Sequence, residues 1–247
     1  MIERVFNEAH PGRELLYGPI SATLRKRRSM ERPWIQAAID VEDIDLAKKI
    51  AFMALDNGAE WLEVGTPLLY TYGHSAIGML RKAVGKDVTL VADYKCPYAA
   101  LCVEQAAQQG ADHVMLTVGY QDVVIDRNIQ ICRDAGITPI FELSVRPDDL
   151  APVAEKLVRH GAKYLFSRHF TSLYGKMGLL EKTDQLPMLL PKRSDCLLGI
   201  TSDDLEEAQD AVRKGADWIT FGYVLRKPDP GVCKLWIDTI RSARKGE

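Results

Sequence analysis

Asn57-Gly58-Ala59-Glu60-Trp61 states a motif that returns as Gln109-Gly110-Ala111-Asp112-His113, His160-Gly161-Ala162-Lys163-Tyr164 and Lys214-Gly215-Ala216-Asp217-Trp218. The glycines stand 52, 51 and 54 residues apart. Each closes an amphipathic helical stretch, and an apolar run follows at once. The motif reads as a helix C-cap glycine in the left-handed conformation, an alanine in a tight corner, then a buried strand. The period is long for a solenoid repeat and matches two βα units of a barrel.

Working outward, short and strongly apolar stretches give strands at Trp34–Asp40, Trp61–Gly65, Val88–Lys95, His113–Gly119, Thr138–Ser144, Lys163–His169, Cys196–Thr201 and Asp217–Tyr223. Such runs suit strands buried on both faces. Helical patterns lie between them at Ile44–Asn57, Ala99–Gln109, Val123–Ala135, Leu150–His160 and Asp203–Lys214. Strict alternation predicts parallel pairing, and eight strands predict a closed (βα)8 TIM barrel of the α/β class over residues 34–247. An open doubly wound sheet is the competitor. It usually carries a glycine-rich loop after its first strand, whereas Ile39-Asp40-Val41-Glu42 has no glycine. Residues 1–33 read as an N-terminal extension. Its charge run Arg25-Lys26-Arg27-Arg28 suits a solvated helix face or arm, or else an anion-binding or subunit-clasping arm.

The chain has 247 residues, 47% hydrophobic and 27% charged, with a formal net charge of −2. That balance argues against disorder and against bulk nucleic-acid binding, which needs a basic surplus. Five widely spaced cysteines without a C-x-x-C pair argue against a disulfide scaffold or zinc site. No apolar run approaches the roughly 20 residues of a membrane span, and the first residues lack a signal-peptide core. The expectation is a cytoplasmic protein with no membrane partner.

In such barrels the active site lies at the C-terminal strand ends. Polar residues there are Asp40, Glu63, Asp93, Lys95, Glu142, Arg168 and His169. Asp93 and Lys95 are two apart, which predicts that both point into the lumen. Buried carboxylates need cations. Lys95 is one, and a hard divalent ion such as Mg²⁺, which takes oxygen ligands, is the other. His169, with an ordinary pKa near about 6.5, suits the handling of a proton.

At these residues the chain resembles the orotidine 5′-monophosphate decarboxylase superfamily, most closely its 3-keto-L-gulonate 6-phosphate decarboxylase and 3-hexulose-6-phosphate synthase group. The carriers are Ala38-Ile39-Asp40, Glu63-Val64-Gly65-Thr66-Pro67 and Asp93-Tyr94-Lys95; Ile140-Phe141-Glu142-Leu143 is also similar. The resemblance spans residues 34–235 and is strongest in the first half. It implies a homodimer, Mg²⁺ held by Glu63 and Asp93, and chemistry through a metal-stabilised enediolate. The chain departs from the family pattern at Tyr98, where a second aspartate is usual, and at Phe166, where a histidine is usual. The phosphate-binding glycines after strands 7 and 8 read Leu198-Gly199-Ile200 and Gly222-Tyr223. Gly199, Thr201, Gly222, Tyr223 and Arg226 are the expected substrate or phosphate contacts, in a phosphate site that is remodelled or lost. Asp203 and Asp204 would repel a dianion if they faced it.

The expected activity is metal-dependent carbon–carbon lysis: decarboxylation of a keto sugar acid phosphate or a related keto acid. Asp40, Lys95, Glu142 and His169 form the expected catalytic set, with His74 and Tyr98 as weaker candidates. The alternatives are a hexulose-phosphate-synthase-type aldolase, an epimerase or isomerase using the same intermediate, and a non-catalytic sugar-phosphate-binding protein.

Overall fold

The repeated glycines are where the chain turns from helix to strand. Gly58, Gly110, Gly161 and Gly215 have φ of 102°, 90°, 92° and 99°, a left-handed conformation that side chains disfavour. The residue after each Gly-Ala explains why three of the four repeats carry an acid. Glu60 Oε2 accepts from Ile35 N at 2.7 Å, Asp112 Oδ2 from Leu90 N at 2.9 Å, and Asp217 Oδ2 from Leu198 N at 2.7 Å. Each acid thus satisfies a main-chain donor at the start of the neighbouring strand. Two arginines brace these corners from the helices: Arg81 on Asp112 at 2.6 Å, and Arg241 on Glu60.

The structure is a computed structural model and describes residues 33–118, 121–145, 147–167 and 196–244. The expected extension over 1–33 lies outside it except for its last residue. Eight strands are seen: β1 Trp34–Ile39, β2 Trp61–Val64, β3 Thr89–Cys96, β4 His113–Thr117, β5 Thr138–Glu142, β6 Tyr164–Ser167, β7 Leu197–Thr201 and β8 Trp218–Phe221. They pair in parallel in sequence order, and β8 pairs with β1 to close the barrel. The helices among the described residues are α1 Ile44–Asp56, α2 Thr66–Tyr72, α3 Ser75–Val84, α4 Val103–Gln108, α5 Asp122–Asp134, α6 Pro147–Arg159, α7 Leu205–Arg213 and α8 Pro230–Ser242. The fold is the (βα)8 TIM barrel read from the sequence. No helix among the described residues is long and apolar enough to cross a membrane, and the five cysteines are free thiols.

Two crossovers differ in detail from the expected pattern. The β2–β3 connection carries two helices, because Gly73 at φ 59° ends α2. The helix expected over 99–109 starts as a 3-10 turn at Ala99–Leu101 before α4.

The core has two layers. Ile, Leu, Val and Ala from the outward faces of the strands pack against the helices. Inside the barrel, Trp34, Trp61, Tyr164 and Trp218 join Val91, Met115, Ile140, Phe166 and Leu197 in a separate cluster. Trp34 stacks on Trp218 at 5.5 Å and 3°, and Trp61 stacks on His113 at 4.7 Å. Five of these residues (Trp34, Trp61, Tyr164, Leu197 and Trp218) open their strands, so the largely aromatic packing fills the N-terminal half of the lumen. The polar mouth lies above it.

Candidate functional site

Side chains alternate along a strand, so the residues two positions beyond the lumen plug also face inward. Trp61 leads to Glu63, Val91 to Asp93, and Ile140 to Glu142. All three carboxylates are nearly sealed from solvent, at 1%, 0% and 2% exposure. A buried carboxylate needs strong partners. Gln36 on β1 donates from Nε2 to Glu63 Oε2 at 2.6 Å. Ser144 donates to Glu142 Oε1 at 2.5 Å. Asp93 Oδ2 is paired with Lys95 Nζ and accepts from Thr66 Oγ1 at 3.1 Å. Thr66 Oγ1 also accepts from Lys95 Nζ.

Lys95 reaches this position through a local irregularity. The β3–β4 register shifts between Asp93 and Cys96, and Lys95 has φ 50°, which no other described residue except glycine shares. Such a bulge re-aims a side chain at a strand end. Simple alternation is therefore broken at Lys95, yet its ammonium still meets Asp93. The bulge follows no sequence sign, since lysine is not a residue that favours left-handed backbone.

Asp40 stands at the mouth just beyond β1, between two glycines. A Cβ on Gly65 would fall 2.3 Å from Asp40 Oδ1, and one on Gly222 would fall 3.5 Å from Oδ2. Gly65 is thus fixed by the carboxylate it faces. Glu63 and Asp93 sit on paired strands with Glu63 opposite Val91, so Glu63 starts about 6–7 Å deeper along the barrel. The extra methylene of glutamate offsets part of that depth.

The residues expected to grip a phosphate have other partners. The indole of Trp218 fills the space beside Gly199, where an added Cβ would fall 1.9 Å from its ring; this gives the glycine a packing reason. Gly222 packs on Ala38. Tyr223 is exposed, and the Arg226 guanidinium lies 5.4 Å over its ring. Thr201 ends β7 at the mouth, paired in register with Thr220. His169 lies outside the described residues. Of the weaker candidates, Tyr98 is exposed, and His74 Nδ1 meets Tyr94 OH at 2.5 Å. Burial drives the Tyr94 hydroxyl above its ordinary range. Phe166 is buried and stacks on Trp218.

Sequence reasoning missed Gln36, Thr66 and Ser144 as partners of the carboxylates. Only Thr66 carried a signal, being next to Pro67 at the start of α2.

As for a metal, no group of three or more His, Cys, Asp or Glu side chains among the described residues is arranged to hold one. Mg²⁺ commonly uses only one or two carboxylates, completed by water and substrate oxygens. Glu63 and Asp93 fit that donor set in chemistry and number.

No protein-family profile matches the chain. It is 23% identical over 203 residues to a bifunctional enzyme Fae/Hps from Methanospirillum hungatei, covering 80% of this chain and 50% of that protein. The chain therefore spans about half the length of this curated relative. Among solved structures, a 3-hexulose-6-phosphate synthase superposes with a TM-score of 0.72 at 20% identity, covering 85% of this chain and 98% of the other. KGPDC from Streptococcus mutans, solved as a complex, gives 0.71 at 18%, covering 85% and 98%. A 3-keto-L-gulonate-6-phosphate decarboxylase from Vibrio cholerae O1 biovar El Tor gives 0.71 at 20%, covering 85% and 97%. The group that the strand-mouth motifs resemble is thus also the group whose solved structures share this chain's fold.

Proposed function

We propose that the chain is a carbon–carbon lyase that cleaves a keto sugar acid or ketose through an enediolate. The observation that carries this reading is a pair of buried, lumen-facing carboxylates on paired strands, Glu63 held by Gln36 and Asp93 held by Lys95 and Thr66, towards the C-terminal end of a barrel whose other end is packed with aromatic rings. The similarity to Fae/Hps enzymes and the fold shared with a decarboxylase and a synthase support it.

Each residue has a role in the proposal. Lys95, held by Asp93 and Thr66, sets a fixed positive charge beside the oxyanion that develops when the bond breaks. Asp40, between Gly65 and Gly222, orients a substrate hydroxyl. Glu142, held by Ser144, lines the same lumen. His169 is the proposed proton carrier. Glu63 and Asp93 would hold Mg²⁺, which when bound supplies Lewis-acid charge for adjacent carbonyl and hydroxyl oxygens. A homodimer belongs to the proposal: Tyr70, Tyr98 and Leu101, all exposed, follow β2 and β3 on the mouth side. Five free thiols suit a reducing, cytoplasmic compartment.

A second reading is the reverse, aldol direction on the same site, favoured by the synthase among the fold neighbours. Product analysis separates the two. The chain, with Mg²⁺, is incubated with keto sugar acids and ketoses, each with and without a phosphate ester. Release of CO₂ or an aldehyde, abolished by EDTA, supports the lyase. Exchange of substrate hydrogen with D₂O and no cleavage would replace it with an isomerase.

A further inference from the structure

Barrels of this architecture commonly hold a phosphate at the loops after strands 7 and 8, on main-chain N–H groups. In this chain several of those donors are already engaged. Tyr223 N–H, the first donor after Gly222, donates to Asp203 Oδ1 at 3.1 Å. Asp203 belongs to the loop after β7, so this bond ties the two loops together. Ser202 N–H donates to Thr220 O at 3.0 Å, Asp204 N–H to Ser202 Oγ at 3.1 Å, and Leu225 N–H to Gly222 O at 2.9 Å. Glu207 N–H donates to Asp204 Oδ1 at 3.0 Å, where Asp204 caps α7.

Charge at this rim points the same way. Asp203, Asp204 and Glu207 bring three carboxylates. Burial, and then the charge of Asp204, hold the Glu207 carboxyl above its usual range. Against them stand Arg226, whose guanidinium lies over the Tyr223 ring, and the exposed Lys227 that follows it. A phosphate dianion would have to displace Asp203 from Tyr223 N–H and stand against like charge. The space beside Gly199 is also filled, by Trp218.

We infer that this rim does not read a phosphate, and that Asp203 is the specificity-determining residue. Its carboxylate takes the donor an anion would use, so the site recognises its substrate through the sugar or keto-acid portion alone. The substrate class rests on the lyase reading; the exclusion of phosphate does not.

Calorimetric titration of the full chain with D-ribose 5-phosphate, D-ribose and orthophosphate, all with Mg²⁺, tests this. The wild type is expected to bind the phosphate ester less than about tenfold more tightly than the free sugar, and to bind no orthophosphate. Asp203→Ala frees Tyr223 N–H and removes a charge; it is expected to gain orthophosphate binding and about a tenfold preference for the ester. A wild-type preference of about tenfold or more for the ester, or no gain in Asp203→Ala, overturns the inference. If the variant gains orthophosphate while the wild type releases neither CO₂ nor an aldehyde from the keto sugar acids and ketoses, the inference stands and the lyase reading falls. If the wild type prefers the ester and also releases CO₂ or an aldehyde, the reverse holds.

Discussion

Gly199→Ala tests whether the glycine on β7 serves packing or ligand binding. An added Cβ would lie 1.9 Å from Trp218 Cε2, 2.2 Å from Cζ2 and 2.4 Å from Nε1. Carbon atoms in contact stand about 3.5–4.0 Å apart, so the indole would have to retreat by about 1.5–2 Å. It has little room to do so. Trp34 stacks on one side at 5.5 Å, Phe166 stacks at 6.2 Å, and Trp218 itself has no exposed surface. The destabilisation is therefore expected at the top of the overpacking range, about 3 kcal/mol. Urea unfolding followed by tryptophan fluorescence measures it. The companion variant Trp218→Leu removes the obstructing ring, and the double variant should be more stable than the sum of the two losses by about 1.5 kcal/mol or more. A loss below about 1 kcal/mol for Gly199→Ala, or strict additivity, would refute the packing argument.

Three further outcomes are expected. Asp112→Asn weakens the acceptor shared by Leu90 N and Arg81, and should lower stability by about 1.5–3 kcal/mol in the same urea assay. Lys95→Met removes the cation held by the fully buried Asp93; turnover should be lost, with a stability loss of about 2–3 kcal/mol, below the range for a fully buried pair because Lys95 is partly exposed. Burial raises the Cys102 thiol to about 12 and the Cys233 thiol to about 11, and pushes Cys132 up as well. Their folded pKa values exceed the unfolded ones, so the native state holds protons that the unfolded chain releases. Stability should accordingly fall as pH rises above about 8.5, and at pH 8 a thiol reagent should label Cys96 before these three.

The architecture was legible because its signals are local. A glycine that must adopt positive φ, followed by alanine and an acid, marks each helix-to-strand corner, and Gly58, Gly110, Gly161 and Gly215 all behave so. The inward direction of Asp93 followed from alternation on its strand, and Glu63 and Glu142 were marked by their places near the C-terminal strand ends. What stayed hidden depends on partners distant in sequence. Trp218 needs the empty side of Gly199, 19 residues away in the chain, so a glycine that reads as a phosphate contact also serves packing. Trp34 and Trp61 read as strand starts and Trp218 as the second residue of its strand, and nothing local says that their rings meet inside the barrel. Lys95 gave no sign of the bulge that aims it, because its backbone is left-handed without a glycine or asparagine. Asp203 read as a source of repulsion, while its bond to Tyr223 N–H joins two loops that only the closed barrel brings together.

The proposed chemistry depends on Glu63 and Asp93 gripping one divalent cation at the mouth. Titration of Mn²⁺ into the purified chain, read by the loss of the free-ion electron paramagnetic resonance signal, measures this without any substrate. The expected result is a saturable site in the wild type that weakens by about tenfold or more in both Glu63→Gln and Asp93→Asn, while the far-ultraviolet circular dichroism spectrum stays native. No saturable binding in the wild type, or full affinity in both variants, would contradict it.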